Sequence, residues 1–84
     1  MTMKYFAIKD NLADLFMTPV LFQNENMALR WFTGVVNDPK ENKIIYDNPA
    51  DFELWKIGAY DNQKGELTAE LDKMATGLSV KKGE

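Results

Sequence analysis

The stretch that decides the fold is residues 24–37, which read NENMALRWFTGVVN. Asn24 is a candidate N-cap, and Glu25 suits the positive end of a helix dipole. Asn37-Asp38-Pro39 follows as a stop signal. The apolar residues fall at helical spacing, at Ala28, Leu29, Trp31, Phe32, Val35 and Val36. The pattern predicts one amphipathic helix over residues 25–37.

Strand-like segments precede this helix. The alternation and residue types of Met3–Lys9 predict a strand. Pro19–Gln23 predicts a second, short strand with proline at its start, where a missing N–H donor matters least. Between them, residues 11–17 fit either a short helical turn capped by Asn11 or a loop.

The segment after the helix predicts more strand. A polar connector has room for a brief strand at residues 43–46. Residues 52–60 carry apolar side chains on both parities, so either both faces are covered or a bulge shifts the register near Gly58. Residues 61–65 predict a hairpin loop, and the return strand runs through Leu71.

Together these elements predict an α+β fold, a small antiparallel sheet of about four strands packed against one main helix. The order is strand-strand-helix-strand-strand. Residues 1–72 are expected to form a single compact domain. Residues 73–84, with Gly77, Gly83 and the paired Lys81-Lys82, are expected to be a loosely ordered polar tail.

Composition narrows the function. The chain has 84 residues, with no Cys and no His. Thiolate nucleophiles, histidine bases and zinc sites built from these ligands are therefore excluded. Paired acids such as Asp10 with Asp14 are interpreted as caps and turn formers. We expect a protein that is not an enzyme and that uses no cofactor and no metal.

Size and charge bear on the partners. A domain this small has a marginal core, so a homodimer or higher oligomer is expected. The net charge is −3, and all of it comes from residues 47–84, because residues 1–46 carry five basic and five acidic groups. Any nucleic-acid contact is therefore expected mainly in the first half. No apolar run is long enough to span a membrane, and no secretion signal is recognisable, so a cytoplasmic location is expected.

Aromatic residues beside lysines on adjacent strands suggest stacking of bases with nearby phosphate contacts. The candidate nucleic-acid-binding residues are Lys4, Tyr5, Lys9, Arg30, Lys43, Trp55 and Lys56. The alternative is that Tyr5 and Trp55 are core or interface residues and that the lysines only keep the strands soluble.

Two blocks of residues carry a family resemblance. The first is Tyr5-x-x-Ile8-x-Asp10, Ala13-x-x-Phe16, Pro19 and Ala28-x-Arg30-x-Phe32-x-x-x-Val36-Asn37-Asp38. The second is Asn48-Pro49-x-Asp51-Phe52-x-Leu54-x-x-Ile57-Gly58-x-Tyr60-Asp61, followed by Gly65. In this order and spacing the chain resembles the small non-structural protein of gokushoviruses, which are single-stranded DNA phages of the microvirus group.

The resemblance implies a non-structural bacteriophage protein that acts in the host bacterial cytoplasm. It also implies binding of single-stranded DNA and support or control of phage genome synthesis. Surface chemistry keeps an alternative open, a non-enzymatic homo-oligomeric module that recruits a host or phage replication or assembly protein.

Overall fold

The computed structural model describes residues 2–83. Within these residues nine elements follow one another, including a 3-10 turn at Pro49–Asp51. The strands are β1 (Thr2–Asp10), β2 (Leu15–Phe16), β3 (Val20–Phe22), β4 (Phe52–Asp61) and β5 (Glu66–Thr76), and the helices are α1 (Glu25–Val36), α2 (Lys43–Asp47) and α3 (Gly77–Val80).

All pairings between strands are antiparallel. The order is β2-β1-β4-β5, and β3 pairs with β1 along the same edge as β2. The predicted α+β class, with one main helix on an antiparallel sheet, is confirmed. The small strand β2 brings the number of strands to five.

Helix α1 packs its apolar stripe against one face of the sheet. Ala28, Phe32 and Val36 are fully buried there and meet Phe6 and Leu54 from the central strands. Asn24 caps the helix as predicted, because its side chain accepts a hydrogen bond from the Met27 amide at 2.9 Å. The main helix therefore lies where the quoted stretch predicts it.

Of the two alternatives left open for residues 52–60, the structure shows the bulge near Gly58. On β1, Tyr5 pairs with Gly58 while Phe6 pairs with Lys56, so Ile57 is the extra residue on β4. Gly58 is needed beside it, because a β-carbon there would collide with the backbone carbonyl of Thr68. The hairpin loop ends at Gly65, whose φ of +68° is in the left-handed region that glycine favours.

The connector differs from its prediction. Residues 43–46 were expected as a brief strand, whereas Lys43–Asp47 forms α2. A helical turn buries Ile45 and leaves Lys43 and Asp47 to form an ion pair at 3.0 Å, four residues apart. The β-branched pair Ile44-Ile45 favours a strand, but this packing decides the outcome.

Residues 11–17, for which the sequence allows a helical turn or a loop, form a turn followed by the two-residue strand β2. They do not form a helical turn. The carboxylate of Asp10 accepts hydrogen bonds from the Leu12 and Ala13 amides at 3.0 and 3.2 Å. This Asp10 turn competes with helix formation at the same amides.

The chain end is also more ordered than a loose tail from residue 73. Strand β5 continues to Thr76, and α3 follows with Thr76 and Ser79 forming a capping box. Met74, Ala75 and Val80 pack against the core, and this apolar contact explains the order. Gly77 is buried against the Pro49 backbone.

Candidate nucleic-acid interface

The sheet has one face covered by α1 and one face without a helix. We call the second the open face and define it by Tyr5, Lys9, Phe16, Trp55 and Lys73. Their positions follow from strand alternation, since Phe6 and Ile8 lie under the helix. The strand register brings these side chains next to one another, because Lys9 of β1 pairs with Phe16 of β2 and Trp55 of β4 pairs with Lys73 of β5.

An aromatic-lysine cluster lies on this face. The Phe16 and Trp55 rings meet edge to face, with centroids 5.8 Å apart. Lys9 Nζ lies 5.6 Å from the Phe16 centroid and 5.7 Å from the Trp55 centroid. Both distances are within the range of cation–π attraction. The lysine also approaches the exposed carboxylate of Asp14 at 3.9 Å.

Glu53 orients this cluster. Its Oε1 accepts a hydrogen bond from Trp55 Nε1 at 2.9 Å, and its Oε2 lies 3.6 Å from Lys73 Nζ. The Trp55 hydrogen bond is the largest cause lowering the pKa of Glu53 from its ordinary value of 4.5. Desolvation opposes this, while Asn11 and the charges of Lys73 and Lys9 add to the lowering.

Farther along the open face lies a shallow apolar depression of about 320 Å³. Leu67 at its rim is largely exposed. The depression continues the apolar surface from the cluster toward the hairpin. Its lining residues are Tyr5, Ile57, Gly58, Ala59, Leu67, Thr68 and Ala69.

Two of the predicted contacts lie on the other side of the sheet. Lys4 and Lys56 approach the same carboxylate oxygen of Glu25, at 4.0 and 3.3 Å. Lys56 also lies 3.5 Å from Glu70. The hydrogen bond to Glu25 is the largest cause raising the pKa of Lys56 above its ordinary 10.5. Acidic neighbours therefore offset the charge of both lysines locally.

The last two predicted residues are separate again. Arg30 is exposed on α1 and lines a shallow depression together with Lys82. Lys43 is on α2 in its ion pair with Asp47. Of the seven predicted residues, the structure thus brings Tyr5, Lys9 and Trp55 together on one face.

Sequence reasoning missed Phe16 and Lys73 as members of this face. Phe16 falls in residues 11–17, for which the sequence leaves a helical turn or a loop open, and Lys73 falls in the expected tail. The signal for Lys73 was the strand alternation, which runs through Leu67, Ala69 and Leu71 and continues to Lys73. For Phe16, two residues are too few for any periodicity to show.

Residues 2–83 contain neither a cluster of metal ligands nor a helix able to span a membrane. No group of three acidic side chains in that range is arranged to hold a metal ion. None of its helices combines the length and apolar character that crossing a bilayer requires.

Comparisons with known proteins agree with the resemblance seen in the two residue blocks. Residues 3–80 match the family model described as Phage ORF5 protein. A curated relative, Protein ORF5 of Chlamydia phage 1, is 34% identical over 69 residues, which cover 80% of this chain and 72% of the relative. No solved structure matches the chain.

Proposed function

Because this chain belongs to the Phage ORF5 protein family, we propose that it binds single-stranded DNA through its open face. In this proposal it acts in the host bacterial cytoplasm and supports or controls phage genome synthesis. Its role is binding and not catalysis, since rings and lysines on an open sheet surface hold a strand without enclosing a reacting group.

The observation that carries the proposal is the cluster of Lys9, Phe16 and Trp55. Single strands bind to proteins by stacking bases on aromatic side chains while cations hold the phosphates. Trp55 offers a partly exposed indole held by Glu53, and Phe16 offers a second ring at its edge. Tyr5 extends the same face toward the hairpin.

Charge on the rest of the surface limits how the strand is held. Lys4, Lys56 and Lys43 lie off the open face and have carboxylate partners. Lys9 and Lys73 lie on the open face, and their own carboxylate neighbours, Asp14 and Glu53, are 3.9 and 3.6 Å away. A bound strand would compete with these two carboxylates, so about two phosphates at most are neutralised. Because log K for single strands falls with log salt by about 0.7 per phosphate, we expect a shallow slope near −1.4. Stacking then supplies most of the affinity.

The proposal is tested by fluorescence anisotropy with a labelled thymidine 20-mer, titrated at low and moderate salt. Removing an aromatic side chain that stacks on one base costs about 1–3 kcal/mol, which is about fivefold to 150-fold in affinity. We expect Trp55→Leu to weaken binding by this factor and Lys9→Gln to weaken it less while lowering the salt slope.

Lys64→Gln is the matched control. Lys64 lies in the hairpin loop away from the cluster and forms no ion pair within residues 2–83. It changes net charge as Lys9→Gln does, so equal losses from both would show a general charge effect. Absence of wild-type binding at low salt would refute the proposal.

A further inference from the structure

Exposed apolar side chains gather at the end of the molecule near α2. We call this set the α2 patch, and it consists of Leu12, Leu15, Met17 and Ile44. Their exposed fractions are 84%, 54%, 43% and 72%. Large apolar residues grouped in this way mark interaction surfaces more often than scattered ones do.

The loop that carries three of these residues is held in place by backbone hydrogen bonds. The Asn11 amide donates to the Asp51 carbonyl and the Met17 amide to the Ile8 carbonyl, both at 2.8 Å. Asp14 has a φ of +58°, a left-handed conformation that Asp tolerates better than most residues. The exposure of Leu12 is therefore fixed by the fold and is not the result of a frayed end.

Two clefts adjoin the patch, of about 480 and 410 Å³. Met17, Asn42 and Ile45 line both of them. The larger cleft also reaches Phe52, so its floor is part of the hydrophobic core. Each is large enough to receive a leucine side chain.

We propose that a second copy of this chain covers the α2 patch, with Leu12 of each copy entering the larger cleft of the other. The projecting leucine and the receiving cleft lie at the same end of the molecule. A two-fold axis can therefore satisfy both contacts at once, as an isologous dimer requires.

Charge favours a second copy as the occupant. Asp14 on the loop has a side chain 88% exposed, and its one ion-pair contact among the described residues is the long one to Lys9, at 3.9 Å. Lys40 lines the larger cleft and forms no ion pair within residues 2–83. When Leu12 enters the partner cleft, Asp14 is brought toward the partner's Lys40, and the symmetric contact forms as well. One chain thus carries both halves of the charge pair.

This inference stands apart from DNA binding. The α2 patch adjoins one edge of the open face, because Leu15 and Met17 flank Phe16 and Asp14 lies 3.9 Å from Lys9. Trp55 and Tyr5 lie on other strands of the open face, away from the patch. In the proposed dimer these two rings stay accessible, and two linked sites would raise the apparent affinity for a long strand. A monomer that binds DNA and a dimer that does not are therefore distinct outcomes.

The test is sedimentation equilibrium of the full chain over a concentration series without DNA. We expect twice the 9.6 kDa chain mass, and we expect Leu12→Asp and Ile44→Asp each to raise the dimer Kd at least tenfold. Leu67→Asp is the matched control, an equally exposed leucine on β5. A monomeric wild type, or sensitivity to Leu67→Asp alone, would overturn the proposal.

A double-mutant cycle tests the arrangement of the two copies. Asp14→Asn keeps a residue that accepts the left-handed backbone, and Lys40→Gln keeps most of the lysine's length. If the two residues pair across the interface, each change weakens the dimer about two- to tenfold and the second adds little to the first. Fully additive losses would contradict this arrangement.

Discussion

At the scale of single residues, Glu53 determines how the open-face cluster is built. It lies between Lys9 and Lys73 along the sheet surface and accepts the indole hydrogen bond of Trp55. An acidic residue inside the proposed DNA-binding face has to be explained, and we explain Glu53 by its orientation of the Trp55 indole. Without this acceptor the indole would lose the hydrogen bond that sets its plane.

The lowered pKa of Glu53 gives a pH prediction. A carboxyl whose folded pKa lies below its unfolded value stabilises the fold above the unfolded pKa, near 4.5, and loses that contribution as pH falls through the folded pKa. In urea unfolding between pH 3 and 7, we expect Glu53→Gln to be destabilising at neutral pH and the difference from wild type to shrink toward pH 3. A constant difference would contradict the role.

Two glycines predict opposite effects of the same substitution. A β-carbon at Gly77 would collide with the Pro49 backbone, so Gly77→Ala should destabilise by about 1–3 kcal/mol. A β-carbon at Gly34 meets nothing within 4 Å, and alanine is the better helix former, so Gly34→Ala should stabilise by about 0.5–1 kcal/mol. Urea unfolding of both variants checks this, and equal shifts would show that the close approach at Gly77 is not real.

At the scale of elements, the sequence predicts those parts whose periodicity is long. Helix α1 and the strands β1 and β4 follow from repeated apolar spacing, and the hairpin follows from turn residues. Helix α2 could not be predicted in this way, because its five residues are shorter than a periodic signal and only Ile45 is buried. Its form depends on the core that it covers.

The chain end shows the same dependence on distant contacts. The sequence pattern of Lys81 and Lys82 predicts a charged tail, yet two hydrogen bonds of Asn37 at the end of α1 fix this segment in place. We call this pair of hydrogen bonds the Asn37 clamp. Asn37 Nδ2 donates to the Val80 carbonyl at 3.0 Å, and its Oδ1 accepts from the Lys82 amide at 2.9 Å. Asn37 is separated from its two partners by 43 and 45 positions in the sequence. A local sequence pattern cannot predict a contact over that separation.

This clamp gives a prediction for the element. Asn37→Ala removes these two hydrogen bonds and a third, which Nδ2 donates to the Thr33 carbonyl at 2.8 Å. Each is worth about 1 kcal/mol, so we expect a loss of about 2–3 kcal/mol. In hydrogen exchange we expect the Lys82 amide to exchange faster than in the wild type. The β1 amides of Phe6 and Ile8 should remain among the slowest to exchange. Unchanged protection at Lys82 would show that the clamp does not hold the segment.

At the scale of the whole molecule, the family and the α+β fold follow from the sequence, but the division of the candidate site between two faces does not. Lys4 and Tyr5 are adjacent in the chain and lie on opposite sides of the sheet, as do Trp55 and Lys56. The two lysines, Lys4 and Lys56, pair with Glu25, and this pairing depends on where the first turn of α1 lies over the sheet. The amino-acid composition gives the number of charged residues, but it does not show which of them pair with each other.

The two proposals assign different surfaces to different partners. The open face takes a single strand, and the α2 patch takes a second copy. Under the first proposal, the net charge of −3 opposes DNA binding less than it first suggests, because the proposed contacts are Lys9, Lys73 and the rings and do not involve the whole surface. The account's central claim is that bases stack on Trp55.

Tryptophan emission measures that stacking most directly, because the chain has two tryptophans in different places. Trp31 lies on α1 and packs beside Phe22 of β3, with ring centroids 5.7 Å apart, whereas Trp55 lies on the open face. We propose titrating unlabelled thymidine 20-mer at low salt into Trp31→Phe, which reports Trp55, and into Trp55→Phe, which reports Trp31. The account predicts saturable quenching of Trp55 emission and little change in Trp31 emission. Unchanged Trp55 emission, or quenching of Trp31 alone, would contradict it.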